Sequence, residues 1–118
     1  CVQNVINSTQ FINGEEVKRF QGALAVYLGD KHVITCGNGT DALQIAMMGL
    51  GLKPGDEVIT PSYTYIATTE VIGLLGLKPV FVDCDPDTFN ISPKSIEKSI
   101  TAKTRAIVPV HLFGQSSN

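Results

Sequence analysis

Four short segments of this 118-residue chain hold residue types that could do chemistry: 37–41, 61–65, 83–87 and 111–115. The first reads Gly37-Asn38-Gly39-Thr40-Asp41-Ala42. Its glycines let the backbone turn sharply into a helix, whose first turn presents unpaired N–H groups and the positive end of a dipole. That geometry cradles a phosphate, and the Thr40 hydroxyl would add a donor. The same residues also suit an ordinary N-cap, in which Thr40 or Asn38 satisfies its own helix. They meet the spacing G-x-G-x-x-A as well, the fingerprint of a nicotinamide dinucleotide site in a Rossmann fold. Such a site asks for an acid at the end of the second strand, to hold the ribose hydroxyls. That strand ends in Thr60-Pro61-Ser62, with Asp56 and Glu57 at its wrong end.

In the second segment Tyr63 and Tyr65 could stack on a flat heterocycle or pack over a helix. A phosphate site on the adjacent strand favours stacking, because one ligand could use both features. Asp83, Asp85 and Asp87 invite a metal reading, but a turn before Pro86 with carboxylates capping backbone groups accounts for them better. No nearby histidine completes a ligand set, so no metal is expected. His111 stands where ligands bind in such folds; a lone histidine is more often structural, and it is carried as a candidate pocket contact.

The elements that must position these groups follow from periodicity. Apolar Val17, Phe20, Leu24 and Leu28 recur at spacings of three and four, predicting a helix over 15–28 with Gly29 as its stop. A β-branched strand is expected over 31–36, then a helix over 40–50 with Leu43, Ala46, Met47 and Leu50 on one face. Lys53-Pro54-Gly55-Asp56 is a turn before a strand over 57–60, followed by a helix over 64–76 and a strand over 78–82. Ser92 caps a helix over 94–100 with Pro93 at its first position, and a fourth strand is expected over 105–110. Val- and Ile-rich strands alternating with helices describe a three-layer α/β/α fold around a mostly parallel sheet. Its ligand belongs at the carboxyl ends of the strands.

Composition narrows the function classes. Hydrophobic residues at 43% and charged residues at 17% fit a folded domain, and a net charge of −2 gives no reason to expect nucleic acid as a partner. Cys1, Cys36 and Cys84 form no disulfide framework, and Cys36 and Cys84 end apolar runs where buried thiols are expected. No apolar stretch is long enough to span a membrane, and with no visible signal peptide the default is a cytoplasmic protein. The chain opens on Cys1 and stops in a loop-like stretch straight after an apolar strand, which reads as a piece of a longer protein.

Taken together the segments resemble the DegT-type (DegT/DnrJ/StrS) sugar aminotransferases, a branch of the fold-type I enzymes that use pyridoxal 5'-phosphate (PLP). The resemblance is carried by Asn38-Gly39-Thr40-Asp41-Ala42-Leu43, by Pro54-Gly55-Asp56-Glu57-Val58-Ile59-Thr60-Pro61-Ser62, and by Pro79-Val80-Phe81-Val82-Asp83. It continues through Thr104-Arg105-Ala106-Ile107-Val108-Pro109-Val110-His111 and Gly114-Gln115. It implies that residues 1–118 are the N-terminal portion of a fold-type I large domain, the rest of which lies beyond the chain together with a small C-terminal domain. It implies that Gly39, Thr40 and Asp41 hold the cofactor phosphate and that Tyr65 stacks on the pyridine ring. Asn38 stands where serine is often found and, with His111, is a candidate pocket contact.

The resemblance places the Schiff-base lysine beyond Asn118, so this chain holds no catalytic residue and should not transaminate alone. None of Lys18, Lys31, Lys53, Lys78, Lys94, Lys98 or Lys103 matches that position. The parent would move an amino group from an amino acid, with glutamate the favoured donor, to a keto group on a nucleotide-linked sugar. The setting would be amino-sugar and cell-surface polysaccharide biosynthesis, and the wording of 36–45 leans toward UDP-linked 3-keto sugars. The parent is expected to be a homodimer. The alternatives are a nicotinamide dinucleotide-binding Rossmann domain, or a non-catalytic or dehydratase relative of the same fold.

Overall fold

The computed structural model describes residues 2–29 and 31–118. Cys1, named above among the thiols, lies outside them. The chain forms two compact units, Cys1–Gly37 and Asn38–Asn118.

The first unit holds α1 (Val2–Ser8), which periodicity did not reveal, and α2 (Glu15–Tyr27). α2 starts at Gly14, where any side chain would collide with the Gln10 carbonyl, and Glu15 and Glu16 complement its dipole. It stops at Gly29 as expected, with φ +79 there and the Leu28 and Gly29 N–H groups closing on Leu24 and Val26 carbonyls. The strand expected over 31–36 is not formed: those residues carry no strand pairing. The Val33 carbonyl accepts instead from the Gln21 side chain at 3.0 Å. β-branched residues favour an extended backbone, but only a hydrogen-bonded neighbour makes a strand.

The second unit contains α3 (Gly39–Gly49), β1 (Glu57–Pro61), α4 (Ala67–Leu74), β2 (Lys78–Val82), α5 (Pro93–Ser99) and β3 (Thr104–Ile107). The three strands are parallel in the order β2-β1-β3. All five residues of the central β1 are buried, and its alternation builds the layers. Val58 packs with Met47, Val71, Ile72 and Leu77 on the face covered by α3 and α4. Ile59 points the other way, onto Val82 and Ile91, with Ile96 of α5 against them. Burying side chains of this size contributes about 1.5–3 kcal/mol each. Leu43 and Met47 face the core of α3 as expected, but Leu50 is 65% exposed; Leu52, past the Gly51 turn, packs there instead.

Element ends have local causes. Ser92 caps α5 by accepting from the Ser95 N–H, with Pro93 next to it. β3 is shorter than expected, because after Val108 N–H bonds the Ile59 carbonyl at 2.8 Å the next residue is Pro109, which has no N–H to offer. At the amino edge Glu57 is 5% exposed and accepts from Thr101 Oγ1 at 2.6 Å and Lys78 Nζ at 3.0 Å. The Thr101 hydroxyl, and then the Lys78 ammonium, hold its carboxyl below the usual range.

Topology decides where the fold opens. β1 reaches β2 through α4 on one face, and β2 returns past β1 to β3 through α5 on the other. Ligands of such sheets bind beyond the carboxyl ends of the strands, which here are the loops after β1, β2 and β3.

Candidate functional site

The site expected from the sequence lies within the second unit. Met47, near the end of α3, packs with Val58 and Leu77 at the amino side of the sheet. Its first turn, eight residues and about 12 Å earlier at 1.5 Å per residue, is therefore directed to the carboxyl edge. α4 begins at that same edge and lies on the same face. α3 and α4 thus cover one face of the sheet, with Thr40 in the first turn of α3 and Tyr65 on the loop just before α4.

The first turn of α3 is partly its own cap. Asn38, extended at φ −165, accepts the Asp41 N–H on Oδ1 at 2.9 Å and donates Nδ2 to Asp41 Oδ2 at 3.1 Å. The N-cap reading of Asn38 thus holds, and it takes up one of the donors expected for an anion. Gly39 and Thr40 remain exposed. A Cβ built on Gly39 meets nothing within 4 Å. α4 starts at Ile66 with no side-chain cap at all. Two helix starts therefore aim their positive ends at one edge.

Around this edge the two tyrosines part. Tyr65 is 75% exposed on the 62–66 connection, not packed over a helix. The helix expected from 64 begins only at Ala67, leaving Tyr65 on a loop. Tyr63 meets Phe89 and Phe113, at ring-centroid distances of 5.9 and 6.5 Å, and Phe89 meets Phe113 edge-on at 5.7 Å. These three rings come from the loops after β1, β2 and β3. Sequence reasoning missed the trio, because its members are 24 or more residues apart and no local spacing links them. A cleft of about 590 Å³ opens beside it, lined by Ser62, Tyr63, Cys84 and Phe89, and neither Thr40 nor Tyr65 lines it.

The aspartates form a turn. Asp85 Oδ1 accepts from the N–H groups of Asp87 and Thr88 at 3.0 Å each, and from Thr88 Oγ1 at 3.2 Å. These bonds, led by the Thr88 N–H, hold its carboxyl below the usual range. Asp83 caps the Cys84 N–H at 2.9 Å. Among the described residues no three His, Cys, Asp or Glu side chains converge as a metal set. The thiol expectation needs correction: Cys36 is exposed, since no sheet forms around it, and Cys84 is half-buried. His111 is exposed on the loop after β3, and its Nδ1 lies 3.1 Å from the Ser117 backbone nitrogen, which donates to it.

The dinucleotide alternative fares poorly on this geometry. Glu57, the acid of β1, is buried in its own network four residues from the carboxyl end, roughly 13 Å away at strand rise.

Known proteins share both sequence and shape. The chain is 52% identical over 117 residues to a UDP-2-acetamido-2-deoxy-3-oxo-D-glucuronate aminotransferase of Pseudomonas aeruginosa, covering 99% of this chain and 33% of that protein. It is 50% identical over 117 residues to a pleiotropic regulatory protein of Geobacillus stearothermophilus, covering 99% and 32%. The crystal structure of ntda from Bacillus subtilis with bound cofactor PMP superposes with a TM-score of 0.94 at 40% identity, over 99% of this chain and 27% of that one. The chain thus spans about a third of the length of the curated relatives it matches. Its sheet and helices are a partial fold-type I PLP-transferase domain. The pattern that joins the glycine turn, the central strand and the loop after β3 matches over residues 1–118, and the chain belongs to the DegT/DnrJ/EryC1/StrS aminotransferase family.

Proposed function

We propose that residues 1–118 are the N-terminal portion of the large domain of a PLP-dependent aminotransferase and supply part of its cofactor cradle. What supports this reading is that α3 and α4 cover one face of the sheet, with the exposed Gly39-Thr40 turn opening the first and the exposed Tyr65 on the loop before the second. Asn38 already occupies the Asp41 N–H. The phosphate would therefore take the Gly39 and Thr40 N–H groups and the Thr40 hydroxyl, with Asp41 acting through the cap. The residues present fit that anion: the donors are exposed, and Gly39 adds no side chain in the approach. Tyr65, loop-borne and exposed, would lie against the pyridine ring and help exclude water from it. PLP, when bound, supplies an electron sink that draws charge away from the reacting carbon.

The parent's reaction is read as amino transfer from an amino acid, glutamate by the family resemblance, to a keto group of a nucleotide-linked sugar. The Pseudomonas aeruginosa relative supports that substrate class. Amino-sugar and surface-polysaccharide synthesis, a homodimeric assembly and a cytoplasmic setting belong to the same proposal. Among the described residues no helix is long and apolar enough to cross a membrane. Every lysine of the chain is exposed, and Lys78 is paired with Glu57. The likeness to a regulatory protein favours a second reading, a non-catalytic relative of the same fold.

The test is a titration of the full-length protein with PLP and with NAD, followed by absorbance. A PLP band that shifts on adding glutamate supports the enzyme. Saturable NAD binding without a PLP band overturns it, and a PLP band that glutamate never shifts points to the non-catalytic relative.

A further inference from the structure

We propose that the 85–90 turn after β2 is a positioning element for His111, fixing its ring as the neutral tautomer with Nδ1 accepting and Nε2–H donating. The turn is rigid for reasons on its own backbone. Asp85 Oδ1 gathers three donors, while Asp85 N–H bonds the Asn90 carbonyl and Phe89 N–H bonds the Asp85 carbonyl, both at 2.9 Å. This closure puts Phe89 at φ +58, a left-handed conformation that a bulky residue keeps only when its surroundings impose it. It also sets Asn90 inside the fold, 7% exposed.

From there the contacts lead across to the loop after β3. Asn90 Nδ2 donates to the Ser116 carbonyl at 3.2 Å. The next residue, Ser117, donates its backbone N–H to His111 Nδ1 at 3.1 Å, and its hydroxyl lies 3.2 Å from the same nitrogen. Phe89 meets Phe113 on that loop, two residues beyond His111, and so grips it a second time. A backbone N–H cannot accept, so Nδ1 must be the unprotonated nitrogen and the ring proton sits on Nε2. Asn90 and Ser117 are positioning residues for a histidine on the loop at the carboxyl end of β3. The inference rests on the proposed function only for what the Nε2–H donor meets; the tautomer needs no cofactor.

The experiment is nitrogen-15 NMR of the imidazole rings in the full-length protein at about pH 8, above the ordinary histidine range. His111→Gln assigns the signal, and spectra are taken with and without PLP. The wild type should show a pyridine-type Nδ1 and a pyrrole-type Nε2. In Asn90→Asp the donor to Ser116 becomes a carboxylate facing a carbonyl. The Nδ1–H form should rise several-fold, and kcat should fall about two- to tenfold with KM for the amino donor little moved, the scale of one lost hydrogen bond. Ser117→Ala keeps the N–H and should stay close to wild type. Ser117→Pro removes that N–H and should reproduce the Asn90→Asp shift even if Asn90→Asp does not fold.

A wild-type ring protonated on Nδ1 overturns the proposal, as does a folded Asn90→Asp protein with an unchanged tautomer ratio. A protein that binds no PLP yet shows the Nε2–H ring sinks the proposed function and supports this inference. A PLP-loaded enzyme with the Nδ1–H ring does the reverse.

Discussion

At the amino edge of the sheet Glu57 is 5% exposed with both carboxylate oxygens bound, whereas at the carboxyl edge Tyr65 is 75% exposed. The amino edge is closed by an ionic network drawn from β1, β2 and the turn before β3. The carboxyl edge is left to loops, to two helix starts, and to three rings that touch each other while staying about half in solvent. At the amino end the buried carboxylate is satisfied internally, while at the other end capped turns stand beside exposed rings and the exposed Gly39-Thr40 start of α3. One edge holds the strands together, and the other is free to bind.

The comparison breaks most severely if the strand shared by both edges is emptied. Ile59→Ala removes a fully buried side chain between Val82 and Ile91, and thermal or denaturant unfolding of the full-length protein should show a loss of about 2–5 kcal/mol. Both edges should suffer together. Tyr65→Ala tests the carboxyl edge alone: PLP affinity, read by absorbance titration, should fall up to about tenfold with the melting temperature little changed, the scale of one aromatic stack.

Glu57→Gln is the mirror experiment, lowering the melting temperature while leaving PLP affinity in place. Its pH dependence has a defined sign. The folded carboxyl titrates below its ordinary value of 4.5, so its stabilisation is complete above that value and is lost as pH falls through the lowered one. Asp85, also lowered, adds in the same direction. The mutant's melting temperature should therefore fall less steeply than wild type as pH drops from about 5. The smallest expected change is Gly39→Ala, where an added methyl meets nothing within 4 Å and stability should move by less than about 0.5 kcal/mol. A clear loss of PLP affinity at unchanged stability would sharpen the assignment of the α3 start to the phosphate.

Much of this arrangement was legible in residue order. Val58-Ile59 between a Pro-Gly turn and Pro61 announced a buried strand, and Ser92-Pro93 announced a helix start. Both are local, since alternation and capping act over a few residues. The extended run 31–36 misled, because its β-branched residues say nothing about a pairing partner. Cys36 was misjudged with it. Tyr63 and Tyr65 were told apart by the family resemblance and not by their local spacing, since what separates them physically is Phe89 and Phe113 far along the chain.

The sequence alone determined the alternation of strands and helices, the parallel sheet, the glycine turn and the family pattern, because these rest on short-range sterics and hydrogen bonding. Only the tertiary structure decided that β1 lies between β2 and β3. That order sets the loops bearing Tyr65 and His111 after neighbouring strands, and the loop that holds the histidine reaches back across β1 to Asn90. Strand order is chosen by how whole faces bury against each other.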